Sequence, residues 1–145
     1  MSYEIERKVI TNYLQAQSFY GLTPFGLDGD DVTVADGAGF MTLIPGEARQ
    51  TSIGAPGANC HEYVGILAIT IIEGDSPSAR AVADAVIADL TGLKLDEAGT
   101  TPDAASTVVI DFGRNGFSPY LASSRAEAPY HRAVVNAPFV RTERK

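Results

Sequence analysis

Residues Tyr63-Val-Gly-Ile-Leu-Ala-Ile-Thr-Ile-Ile72, followed at once by Glu73-Gly-Asp-Ser-Pro-Ser78, decide how this chain folds. The run reads as one long strand that stops at a turn and enters a helix. Side chains on a strand alternate between its two faces. Tyr63, Leu67, Ile69 and Ile71 therefore point one way, and Val64, Ile66, Ala68 and Ile72 the other. A strand apolar on both faces has to be covered on both. The helix that follows is well marked: Ser76 suits an N-cap and Pro77 the first helical position, where no N–H is needed. Val82, Val86 and Leu90 form its main stripe, with Ala79, Ala83 and Ile87 beside it, and Gly92 stops it.

Upstream, residues 2–18 place Ile5, Val9, Ile10, Tyr13 and Leu14 at helical spacing, with Ser2 as a cap and Glu4 and Glu6 at the positive end. Gly21, Pro24 and Gly26 end that helix. A Gly- and Asp-rich loop follows over 21–39, with a short strand at Val32-Thr-Val34. Phe40-Met-Thr-Leu-Ile44 is a strand, Pro45-Gly46 bends or bulges it, and Glu47 to Ile53 continues extended to a turn at Gly54-Ala-Pro-Gly-Ala-Asn59. The long strand returns from that tip, as in an antiparallel hairpin. Downstream, 93–105 reads as a loop and 106–112 as a strand. Gly113-Arg-Asn-Gly116 is a turn, and 117–128 shows no clear pattern. Residues 130–136 form a last strand that Pro138 ends or marks as an edge, and a flexible tail begins at about 139.

The expected fold is α+β: one domain over 1–145, a mostly antiparallel sheet of four to five strands, two helices, and the order α-β-β-α-β-β. Two helices are few for a sheet that is greasy on both sides. The shortfall points to a subunit that completes its burial against a neighbour.

The formal net charge of −7 argues against general nucleic-acid binding and against docking on anionic membranes. Residues 1–124 hold 6 basic and 16 acidic side chains, net −10; residues 125–145 hold 5 basic and 2 acidic, net +3. Opposed charges at two flanks suit a head-to-tail contact. The single Cys60 excludes an internal disulfide and fits a reducing compartment. No signal-peptide pattern and no run of transmembrane length is visible.

No constellation of catalytic residues is legible. Cys60-His-Glu62 cannot form a relay within a strand, because His61 points away from its neighbours; a Cys60–His131 pair would need the fold to bring them together. Asp28, Asp30, Asp31 and Asp36 form an acidic loop, but Val32 and Gly39 stand where a calcium loop needs oxygen ligands. The Gly54-Ala-Pro-Gly57 turn lacks the Lys-Ser/Thr of a phosphate loop. Neither a metal nor a cofactor is expected, and an enzyme is not.

The layout resembles the tail terminator-like proteins of long-tailed bacteriophages and prophages. The likeness rests on the opening helix 2–19, the loop that leads to Phe40, and Gln50-Thr-Ser-Ile-Gly54. It continues through Gly65-Ile-Leu-Ala-Ile-Thr-Ile71, the alanine-rich helix to Thr91-Gly92, the Phe112-Gly-Arg-Asn-Gly116 turn and the final strand. One departure is Cys60-His-Glu-Tyr63, where similar segments often carry a basic residue before the strand glycine. The resemblance implies a structural subunit forming a hexameric ring at the head-proximal end of the tail tube. Its partners would be further copies of itself, the tail tube protein and the head–tail connector protein. It implies assembly in the bacterial host cytoplasm and a final place in the virion tail. Asp28, Asp30 and Asp31 are the expected acidic contact surface, Arg132, Arg141 and Arg144 the basic one, and Arg114 a further contact on its turn. Another neck or tail completion protein, or an α+β module that binds a small molecule or peptide, are the alternatives.

Overall fold

The computed structural model describes residues 4–17, 22, 25–27, 35–52, 59–113, 116 and 118–144. Helix α1 (Glu4–Ala16) is followed by strands β1 (Phe25–Gly26), β2 (Ala38–Ser52) and β3 (Cys60–Glu73). Then come helix α2 (Ser76–Leu90) and strands β4 (Lys94–Asp96), β5 (Val108–Asp111), β6 (Tyr120–Glu127) and β7 (Tyr130–Arg144). All seven strands join one sheet in the order β1-β2-β3-β7-β5-β4, with β6 also on β7. The β1–β2 pairing is parallel and every other is antiparallel. The sheet curls into half a barrel.

This corrects the expected sheet of four to five strands in the order α-β-β-α-β-β. Helices α1 and α2 and the β2–β3 hairpin stand where the pattern put them. The bend at Pro45-Gly46 is a register shift: Pro45 faces Gly65 and Ala48 faces Tyr63, so Gly46 and Glu47 together oppose Val64. The short β1 and β4 lie inside segments that read as loops. The edge strand β6 has almost every side chain exposed, so it carries no alternation to detect.

The largest correction concerns β7. The expected tail from about 139 is strand, paired to β3 without a break from Glu73↔His131 to Cys60↔Arg144. Its second edge is shared. β6 takes Tyr130 to Asn136, and β5 takes Val140 to Glu143. Between them, at 137–139, neither strand reaches β7. Pro138, which has no N–H to donate, sits at this break, so it marks a local edge without ending the strand.

Both helices lie on one face of the sheet. Val9, Ile10 and Leu14 of α1 and Ala79, Ala83, Val86 and Leu90 of α2 pack on Met41, Leu67, Ile69, Ile71, Ala133, Val135, Ala137 and Phe139. Alanines on α2 and β7 allow helix and sheet to approach closely. Asp75, not Ser76, caps α2: its carboxylate accepts from Ser78 N at 2.7 Å, which puts Pro77 at the second position. Those hydrogen bonds, first the backbone N–H of Ser78, hold the Asp75 carboxyl below its usual range. Tyr13 Oη donates to Asp89 at 2.9 Å and ties α1 to α2.

A buried ion cluster fixes α1 to the sheet. Arg141 Nε donates to Glu6 Oε1 and its Nη1 to Glu143 Oε2, each at 2.5 Å, and its guanidinium stacks 3.8 Å from the Tyr63 ring centre. Arg141 and Glu6 are both buried. Two acids around one buried cation make its removal costly.

Candidate functional site

The second face of the sheet has no helix on it among the described residues. It can be read as rows across the strands. Thr42, Ala68, Asn136 and Tyr120 form one row; Ile44, Ile66 and Pro138 the next. Glu47, Val64, Val140, Asp111 and Lys94 form the third, and Arg49, Glu62, Thr142 and Val109 the fourth. Burial grades along β3 on this side: Ile72 and Thr70 are buried, Ala68 and Ile66 half-buried, and Val64 is 37% exposed. Ile44 and Tyr120 are 47% and 48% exposed. Three large apolar side chains, Ile44, Val64 and Tyr120, are thus exposed together on this face.

The patch is concave. The second row lacks a member beyond Pro138, because β6 has ended and β5 has not begun. A groove of about 430 Å³ lies there, floored by Val64, Ile66, Pro138 and Val140 and bounded by Tyr120 and Asp111 on one side and Glu47 and Arg49 on the other. Its polar groups are mostly engaged. Arg49 Nε donates to Glu62 Oε2 at 2.9 Å, which satisfies a carboxylate buried beneath it. Asp111 accepts from Gly113 N at 2.8 Å and faces Lys94 Nζ at 3.8 Å. Asn136 Nδ2 donates weakly to Tyr120 Oη at 3.4 Å. Among the described residues, no nucleophile with a base in reach lines the groove. Its lining combines an apolar floor with charged rims of both signs.

The structure separates the other residues singled out in the sequence. Cys60 and His131 sit at opposite ends of the β3–β7 ladder, about 40 Å apart at ~3.3 Å per residue, so they form no pair. His131 Nε2 instead meets Ser124 Oγ at 2.7 Å. Arg141 lies inside the protein, so it presents no charge at a flank. Arg132 Nε lies 2.7 Å from Glu127 Oε2, at an angle that makes a charge contact and not a well-directed hydrogen bond. Arg144 donates to the Ser106 carbonyl at 3.0 Å. Asp28, Asp30, Asp31 and Arg114 lie outside the described residues. Asp36 caps the turn at Gly74 N at 2.7 Å, and beside it burial and the Asp36 carboxyl push Glu73 up. Among the described residues no cluster of three or more His, Cys, Asp or Glu could hold a metal ion. No described helix is long and apolar enough to cross a membrane.

The open patch was half legible. The alternation of β3 announces two apolar faces, but only the register shows that Ile44, Pro138, Val140 and Tyr120 join the second one.

No protein-family model matches the chain, and no curated protein sequence matches it. A solved protein structure superposes on it with a TM-score of 0.67, over 97% of this chain and 96% of its own, at 14% sequence identity. That likeness, spanning nearly all of both chains, supports the α+β architecture as a whole.

Proposed function

We propose that this chain is a structural subunit of a phage or prophage tail, one that closes the head-proximal end of the tail tube as a ring and offers the surface to which the head is joined. The reading rests on the sequence resemblance given above. The observation that supports it best is the sheet face left open around Ile44, Val64, Ile66 and Pro138, which has the character of a surface awaiting another chain. The mechanism is physical and not chemical. Each subunit presents non-identical flanks, copies repeat head to tail until the ring closes, and the ring blocks further addition to the tube. The acidic loop at Asp28, Asp30 and Asp31 is the proposed negative flank. On the positive side Arg132 and Arg144 remain candidates, with Arg141 serving to hold α1 in place.

The decisive experiment is electron microscopy of particles assembled without this protein. Tails of abnormal length, or tails that never join heads, are the expected result. Normal, head-joined tails would overturn the proposal.

A further inference from the structure

The groove on the open face is unevenly supplied with hydrogen-bonding groups. Backbone donors and acceptors on an antiparallel strand point to alternate sides from one residue to the next. On β7, Arg144 N donates to Thr107 O at 3.0 Å, so Thr142, Val140 and Pro138 turn toward that same side. Phe112 N donates to Leu93 O, away from β7, so its neighbour Asp111 faces β7 and meets Val140. Pro138 has no described strand opposite it on that side. Its ring removes the N–H that would have been stranded there and leaves a carbonyl directed into the break.

The side chains tip the balance the same way. Both Arg49 contacts, Nε at 2.9 Å and Nη2 at 2.8 Å, go to Glu62. The Asp111 side chain is only 17% exposed; its Oδ1 accepts from Gly113 N, and its Oδ2 has Lys94 Nζ at 3.8 Å, beyond hydrogen-bond range. Across the floor, the exposed Glu47 carboxylate has no partner among the described residues. Tyr120 Oη, the one hydroxyl among the described lining residues, takes the weak 3.4 Å bond from Asn136. Carboxylates at Asp111 and Glu47 and the Pro138 carbonyl thus surround an apolar floor of Val64, Ile66 and Val140 with acceptors in excess. The volume of about 430 Å³ falls within the range of small-molecule sites, roughly 300–1,000 Å³. The net charge of −7 draws cations toward such a site.

We propose that this groove binds a small organic cation, a primary ammonium on an aromatic or branched apolar body. The ammonium lies beside Asp111 and the Pro138 carbonyl, and the body rests on Val64, Ile66 and Val140. Glu47 adds negative charge from the opposite rim. The site goes beyond the ring reading and does not depend on it. Normal tails in particles lacking the protein would leave the binding intact, and absence of binding would leave the ring standing.

Titration of the full chain with phenethylammonium at low salt, followed by amide NMR shifts, tests the site. Saturable shifts are expected around Gly65, Asp111, Phe139 and Val140. Two further probes, 3-phenylpropanoate with the head charge reversed and phenethyltrimethylammonium with no N–H, should each bind about tenfold more weakly. Asp111→Asn should weaken phenethylammonium binding about tenfold. Glu47→Gln should weaken it about threefold, and Lys94→Met, which frees Asp111, should tighten it about threefold. Glu47 and Lys94 are exposed, so their variants keep the test valid should Asp111→Asn fail to fold. Shifts that never saturate, or that fall away from the groove, overturn the proposal. So does equal binding of the three probes, or an affinity indifferent to Glu47→Gln and Lys94→Met.

Discussion

On the helix side of β3 and β7, Leu67, Ile69, Ala133, Val135 and Ala137 are sealed from water. On the other side of the same two strands, Val64, Ile66 and Pro138 remain reachable. The two faces are almost equally apolar, so hydrophobicity does not separate them. What differs is size and company. The covered face mixes alanines with large residues, which lets α2 seat closely, and it hides its one cation inside an acid cluster. The open face is richer in β-branched residues and is rimmed by Glu47, Arg49, Asp111 and Lys94. A surface built that way sets an apolar floor inside a charged rim.

Substitutions can sharpen this contrast. Arg141→Leu has the largest expected effect, a loss of about 4 kcal/mol in urea unfolding, because Glu6 is left buried without its cation. Replacing Glu6 and Arg141 together by leucine should recover most of that loss; an equal loss in the double variant would show that the cluster is not the cause. Next comes a neighbouring pair on opposite faces. Leu67→Ala should cost about 3 kcal/mol and Ile66→Ala only about 1. Similar values for the two would mean that the open face is covered within the molecule after all. Gly65→Ala should cost about 2 kcal/mol, since a Cβ there would come within 2.6 Å of Phe139 Cζ, on a ring already packed against Phe112.

The smallest effect concerns the helix layer. Burial, then the hydrogen bond to Asp89 and its charge, raise the Tyr13 pKa from 10.0 to about 12. The raised value means that the folded state favours the neutral phenol. Its contribution is complete below pH 10 and is lost as pH rises toward 12. Tyr13→Phe should cost about 1 kcal/mol at neutral pH and flatten this alkaline loss. An unchanged alkaline profile in that variant would place the sensitive group elsewhere.

Much of the helix-and-hairpin frame could be read in advance because its signals are local. The stripe of α2, the Pro45-Gly46 irregularity and the two-faced β3 need no partner to be recognised. What escaped detection depends on distant contacts. β7 beyond Pro138 looks like a charged tail because Arg141 and Glu143 are polar. Arg141 becomes a buried residue only when Glu6, 135 positions earlier, supplies a counter-charge. β6 reads as unstructured because Ser123, Arg125 and Glu127 face solvent and its ladder to β7 alone makes it a strand. The candidate groove was invisible for a related reason: it is an interruption between two strands and has no sequence of its own.

β7 follows every other described element and yet is the centre of its sheet, with β3 on one side and β6 and β5 sharing the other. During synthesis, residues before 130 therefore have no completed platform. The apolar stripe of α1 and the second edge of β3 wait unpartnered until this fifteen-residue strand has been made. Truncation within that strand should yield aggregated chain instead of a shortened, folded protein.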